Sequence, residues 1–255
     1  MRVVLDLRRS VPENAAAHYE RAKKLRGKFK GMGKAIRDTK AKLAAPAETK
    51  EAPPLKKRRE RKWYEKYRWF RSSAGHLVIG GRDASTNDTL VKKHLEPGDL
   101  VFHANVQGAP FFAVKNPEGG EIPESVKMEA AEAAASYSKA WSHGAGSADV
   151  YYVRPEQVSK TPPAGEYLPH GAFMVYGEKT WVKGVPLRVA VGVNEEGVVG
   201  GPVEAVKANS DRHIVVGVGD TPQGALAREL ARTLGVPDSD DVQRFLPPGG
   251  GGLLK

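Results

Sequence analysis

The 255-residue chain contains no cysteine, which excludes disulfides, thiolate zinc sites and a cysteine nucleophile, and no apolar run reaches the ~18 residues needed to span a bilayer. Its net charge of +10 is uneven: residues 1–62 hold 20 Lys/Arg against 7 Asp/Glu, and the remainder is slightly acidic. A polyanionic partner follows, nucleic acid being the commonest. A solubilising tail is the bland alternative, and an anionic membrane the weaker one, because few large apolar residues accompany the charges. Residues 1–7 alternate charge and aliphatics without an apolar stretch or a small-residue cleavage site, so no signal peptide is expected and a cytoplasmic location is.

Residues 10–43 read as one long helix. Ser10 is a candidate N-cap, Pro12 lies in the first turn, and Glu13 completes a capping box. A heptad follows, with Ala15, Ala22, Phe29, Ile36 and Leu43 at one position and Leu25, Met32 and Thr39 at the other. Such a helix extends roughly 50 Å; Gly27, Gly31 and Gly33 weaken it by about 1 kcal/mol each. A single stripe of this kind needs either a partner helix or a globular domain to cover it. Prolines at 46, 53 and 54 make 44–55 a linker. The densest basic cluster comes next (Lys56, Lys57, Arg58, Arg59, Arg61, Lys62). It runs into Trp63-Tyr64-Glu65-Lys66-Tyr67-Arg68-Trp69-Phe70-Arg71, placing charge for phosphates beside rings for stacking. Trp69 and Phe70 either stack bases or anchor the first strand.

Strands are expected over 67–72 and 76–80, as a hairpin around Ser73-Ala74-Gly75. A helix is expected over 83–95, a strand pair over 99–104 and 111–115, a helix over 124–141, and strands over 150–154 and 172–176. Beyond Lys183 the pattern reads as strands at 187–193, 203–208 and 213–218, then helices at 221–234 and 240–246. The fold class is therefore α+β, with a mixed or antiparallel sheet and flanking helices. The expected divisions are a basic helix and linker (1–62), a main domain (63–183), a smaller α+β unit (184–246) and a flexible glycine-rich tail (247–255).

Gly80-Gly81-Arg82-Asp83 leaves a strand and opens a helix, where backbone N–H groups and Arg82 suit a phosphate. Asn87, Lys92 and Lys93 follow on that helix. A glycine turn with an ordinary cap explains the same residues. His103, in a polar loop with Asn105, invites an acid–base reading, but no second histidine at metal-ligand spacing accompanies it, so hydrogen bonding within the loop is favoured. Lys139 beside Trp141 closes the long helix, and Trp141 is expected in the core. Arg154 and Lys160 sit in a proline-rich loop that could clamp a backbone phosphate. Nucleotide-loop and metalloprotease motifs are missing; no catalytic residue, metal or cofactor is expected.

Five blocks occur in an order that resembles the NFACT-R domain (DUF814), the RNA-binding domain of the NFACT ribosome quality-control proteins. They are the run 63–70, Val78-Ile79-Gly80-Gly81-Arg82-Asp83-Ala84, Gly108-Ala109-Pro110, Tyr137-Ser138-Lys139-Ala140-Trp141 and Gln157-Val158-Ser159-Lys160-Thr161. The heptad helix resembles the second half of the family's coiled-coil hairpin. Gly200-Gly201-Pro202-Val203 and Leu246-Pro247-Pro248-Gly249-Gly250 resemble the C-terminal region of its archaeal members. The resemblance implies binding of tRNA or large-subunit ribosomal RNA, association with the large ribosomal subunit and no catalysis. It also implies a coiled-coil partner, either a separately encoded NFACT N-terminal half or a second copy. Contacts belonging to the family's N-terminal domain, helix–hairpin–helix segment and first coiled-coil strand have no counterpart here and are not carried over.

Overall fold

The computed structural model describes residues 4–6, 10–44, 62–161, 168 and 170–254. They fall into two units, one within 1–60 and one within 61–255. The basic cluster from Lys56 to Arg61 lies outside the described residues.

Among the described residues the first unit holds a single helix, α1 (Val11–Ala44), unbroken through its glycines. Its start carries the Glu13 half of the expected capping box: the Ser10 backbone N–H and hydroxyl both donate to the Glu13 carboxylate, at 2.8 and 2.7 Å. The Asn14 side chain pairs with the backbone of Asp6, and the His18 ring reaches the Val4 carbonyl. Leu25, Phe29, Met32 and Ile36 are all exposed, Phe29 at 73 %. The heptad stripe thus faces outward over the described part of its length. The side chains of Thr39 and Leu43 lie outside the description.

The second unit begins with a 3₁₀ turn over Trp63–Lys66. Its strands and helices follow in this order: β1 (Arg68–Arg71), β2 (Leu77–Gly80), α2 (Ala84–Lys93), β3 (Leu100–Ala104), β4 (Phe111–Val114), α3 (Glu124–Ser136), α4 (Lys139–Ser142) and β5 (Ser147–Val153). After these come β6 (Val158–Ser159), β7 (Met174–Val175), β8 (Thr180–Pro186), β9 (Arg188–Asn194), β10 (Gly197–Gly201), α5 (Val203–Ala208), β11 (Arg212–Thr221), α6 (Gln223–Leu234), α7 (Ser239–Gln243) and β12 (Gly251–Leu253). A six-stranded sheet runs β1-β2-β4-β3-β5-β8 and a four-stranded sheet β10-β9-β11-β12; every pairing is antiparallel. This is the α+β architecture expected.

α3 packs against strands of both sheets. A helix in that position cannot keep a polar face, and Val126, Ala130, Ala131, Ala133, Ala134 and Ala135 are fully buried. Alanine suits the place because it favours helix and lets the sheets approach. The two carboxylates buried on α3 are fastened: Glu129 accepts from the Ser73 N–H at 3.0 Å, and Glu132 from the Val203 N–H and Arg188 Nε. Strand alternation separates the faces. Val189, Val191 and Val216 join Phe102, Phe112 and Val150 in the main core, whereas Ala190 turns outward to Val203 and Val206. The opposite face of the six-stranded sheet buries Tyr64, Tyr67, Ile79, Leu90, Phe111 and Tyr151 under the 3₁₀ turn and α2. Phe70 lies in the main core, and Trp69 packs edge-on against Tyr64.

Four expectations need correction. Residues 203–208 form α5, not a strand: Pro202 precedes them, Glu204, Ala205 and Lys207 favour helix, and Val203 and Val206 stand one turn apart on the buried side. The helix read over 124–141 breaks at Tyr137, and Ser138 caps a separate short α4 by accepting from the Ala140 N–H. β8 falls across the expected boundary at 183/184, so that boundary separates nothing structurally, and the two sheets share one core. The glycine-rich end is not a free tail, since β12 pairs with β11 and the Trp141 indole donates to the Gly250 carbonyl at 2.7 Å.

Candidate nucleic-acid interface

β1 delivers Arg68, the β2–α2 turn delivers Arg82, and α4 delivers Lys139 to one cleft of ≈ 740 Å³. Local sequence explains each placement. A Cβ on Gly80 would stand 2.4 Å from the Phe112 ring, and one on Gly81 2.4 Å from Asn87 Oδ1, so only glycines permit the turn that presents Arg82. Asp83 then caps α2 in a full capping box with Thr86. Ser138 starts α4, setting Lys139 beside Gly108, whose φ of +74° shapes the opposite loop.

Arg68 lies over the Tyr137 ring at 4.4 Å, a cation–π contact. Burial pulls its guanidinium below the ordinary range, Tyr137 opposes that shift, and Arg82 adds to it; arginine stays cationic regardless. Burial pushes the Tyr137 hydroxyl up to about 12, and that hydroxyl donates to the Phe245 carbonyl at 2.6 Å. Among the described residues, no carboxylate is paired with Arg68, Arg82 or Lys139, whereas Lys92 and Lys160 share Asp88, Lys115 holds Glu96 and Asp99, and Arg188 holds Glu132. Among the described residues, Asp83 is the one carboxylate lining the cleft, and its Oδ1 accepts from the Thr86 backbone N–H and hydroxyl. Arg82 Nη2 donates to the Arg244 carbonyl at 3.4 Å, but with no neutralising carboxylate on these three cations the cleft carries a positive field, a setting suited to phosphate oxygens.

His103 and Asn87 also line this cleft, as scaffolding. The His103 ring bonds the Ala109 carbonyl through Nε2 at 3.0 Å and packs against Phe111 and Tyr151. Burial pushes it down to about 4, so it is neutral at pH 7 and offers no charge to a phosphate. The unfolded histidine takes up its proton near 6.5, so acid favours unfolding through the window between about 6.5 and 4. The wild-type chain is expected to lose up to about 3 kcal/mol of stability across that window, and His103→Gln to flatten the dependence in thermal melts taken at successive pH values. Asn87 Oδ1 accepts from the Phe111 N–H at 2.9 Å and Nδ2 donates to the Gly171 carbonyl at 3.0 Å, tying β4 to the loop along the cleft rim.

The remaining sequence candidates do not converge here. Lys160 bonds Asp88 and the Ala172 carbonyl and lies over Phe173. Arg154 is exposed and lines a separate groove with Tyr152 and Gln157. Arg71 donates to the Gly75 carbonyl, and Lys62 and Lys93 are exposed. Sequence reasoning missed Tyr137, Tyr151 and Phe173 as cleft walls. Their alternation with core residues gave no separate signal.

Residues 66–177 match the NFACT protein RNA binding domain family. They are an NFACT-R domain. Apart from Pro248, every residue lining the cleft falls within this NFACT-R segment. The archaeal Rqc2 homolog aRqcH of Methanocaldococcus jannaschii is 40 % identical over 205 residues, covering 78 % of this chain and 30 % of its own. The NEMF homolog of Drosophila melanogaster, described as a ribosome quality control complex subunit, is 40 % identical over 189 residues, covering 71 % and 18 %. Human NEMF is 37 % identical over 174 residues, covering 66 % and 16 %. The chain thus spans less than a third of the length of these curated relatives. Among solved structures, the C-terminal part of the fibronectin/fibrinogen-binding protein of Streptococcus suis matches 69 % of this chain and 76 % of that one. At 21 % identity and a TM-score of 0.40, that likeness is too low to bear on function. No helix among the described residues is long and apolar enough to cross a membrane.

Proposed function

We propose that this chain binds RNA, either tRNA or large-subunit ribosomal RNA, and that it works in ribosome-associated quality control without catalysing a reaction. The observation that carries this reading is the set of cations Arg68, Arg82 and Lys139, none paired with a carboxylate among the described residues, around one cleft of the NFACT-R domain. The names of the relatives supply the ribosomal setting. The basic run from Lys56 to Lys62 adds non-specific affinity close to the start of the folded unit. His103 is a poor general base for RNA cleavage, because burial leaves its ring weakly basic, down to about 4, and the Ala109 carbonyl engages its Nε2; tRNA incubated with the protein, with or without divalent metal, should stay intact. Binding of tRNA and of ribosomal RNA fragments should weaken steeply as salt rises, the logarithm of the association constant falling roughly 0.7 per phosphate contact against the logarithm of salt concentration for single strands. A flat salt response ends the proposal. Crosslinking and sequencing of bound RNA then separates the two RNA classes.

The outward stripe of Leu25, Phe29, Met32 and Ile36 on α1 supports a second element of function. An exposed heptad seam of this length calls for a partner helix, from a separately encoded NFACT N-terminal half or from a second copy. Co-purification at native expression levels tests this, and a monomer without partners at all concentrations counts against it.

A further inference from the structure

β8 lies just beyond the family match and forms one edge of the six-stranded sheet, paired among the described residues only with β5. Lys179 immediately precedes the strand, and Trp181 and Lys183 stand two residues apart on it. Trp181 stands opposite Tyr151 in the β5–β8 register, and Tyr151 stands opposite His103 in the β3–β5 register. The rings form a continuous ladder across four strands: Phe111 to His103 at 4.5 Å, His103 to Tyr151 at 5.6 Å, and Tyr151 to Trp181 at 5.3 Å. The first three line the cleft, while Trp181 is 41 % exposed at the open edge. Two cations flank the ladder. Lys183 lies 4.3 Å from the Trp181 ring centre and is paired with Asp149 at 2.9 Å. Lys179 lies 4.6 Å from the Tyr151 ring centre, and no carboxylate among the described residues pairs with it.

We infer that this edge is a base-stacking subsite for an unpaired stretch of RNA leaving the cleft: a base stacks on Trp181 and Lys179 takes the adjoining phosphate. A half-exposed indole held in an edge-on contact with another ring is a ready stacking surface, and every base has a π-face to offer it. Bases within a duplex are already stacked on each other, so the subsite selects single-stranded segments. Charge complementarity and continuity with the cleft make RNA the occupant. The inference rests on the cleft reading above but fails separately from it.

The test uses the full chain and three probes: a single-stranded oligouridylate of about ten nucleotides, an abasic oligonucleotide of the same length, and an RNA duplex. Trp181→Ala should weaken oligouridylate binding about tenfold, within the range seen for stacking residues, and Trp181→Phe should restore most of it. Neither variant should change affinity for the abasic strand or the duplex. Arg82→Glu in the cleft should weaken all three probes. Loss of oligouridylate binding by Arg82→Glu but not by Trp181→Ala overturns the subsite and spares the cleft. An equal loss for the abasic strand in Trp181→Ala also overturns it. No effect of Arg82→Glu on any probe removes the cleft reading instead. Photocrosslinking of 5-iodouridylate to the unaltered chain decides the matter if Trp181→Ala fails to fold: a crosslink at Trp181 supports the subsite, and crosslinks confined to other residues overturn it.

Discussion

Trp141→Ala is expected to lower the thermal midpoint of the second unit by about 6–20 °C. The side chain is only 2 % exposed and sits in the main core. Truncating a buried tryptophan costs about 3–5 kcal/mol through lost transfer energy and the cavity left behind, and one kcal/mol moves the midpoint by roughly 2–4 °C in a domain of this size. The indole also donates to the Gly250 carbonyl at 2.7 Å, so the substitution releases the segment that leads into β12. Trp141→Phe separates the effects: it keeps most of the volume and loses the hydrogen bond, and should cost about 1–2 kcal/mol. Removing the residues after Gly249 should destabilise the chain as well, because β11 then becomes a bare edge. If truncation leaves the melt unchanged, the glycine-rich end is as free as its composition suggests, and this account of it is wrong.

That segment marks the boundary of what a sequence discloses. Pro247-Pro248 followed by four glycines has the composition of a flexible tail. The reason for the glycines is steric. A Cβ on Gly250 would lie 2.2 Å from the Gly219 carbonyl oxygen, and one on Gly219 would lie 2.7 Å from the Gly251 backbone. Two backbones approach too closely for any side chain, and no local pattern reveals that approach. The elements with strong local signals were legible: α1 with its Ser10–Glu13 cap, the hairpin around Gly75, α2 with its Asp83 cap, and the amphipathic α6. β8 was missed because Thr180-Trp181-Val182-Lys183-Gly184 has little of the buried alternation that strand reading relies on; it is an edge strand with an exposed face. The cleft was half legible. Arg68, Arg82, Asn87, His103 and Lys139 were each nominated and do converge on it. Which of them are free to act depends on long-range partners, such as Gly171 for Asn87, 84 positions away, and Asp88 for Lys160, 72 positions away. Sequence spacing carries no record of those pairings.

Convergence of unpaired charge makes the double variant Arg82→Glu with Lys139→Glu the most damaging change to RNA binding. Both side chains are exposed and neither packs in the core, so the fold should survive. Arg68 is left in place because it is largely buried over Tyr137, and its loss would confound binding with packing. Each hydrogen bond to a charged phosphate is worth about 1.5–3 kcal/mol, and reversal also introduces repulsion, so the pair should reduce affinity by about two to four orders of magnitude near 0.1 M salt. The salt dependence should become shallower by about 1.4 units of slope, roughly 0.7 per phosphate contact removed from a single strand. Net charge alone predicts the same loss wherever the charges are reversed. Lys127→Glu with Lys207→Glu makes the same change in net charge at residues outside the cleft that are already paired with Glu124 and Glu204. That control should lower affinity only slightly. A cleft acting through fixed, unpaired donors requires the two double variants to differ in both affinity and slope; equal losses would mean that RNA responds to the overall charge of the chain and not to this site.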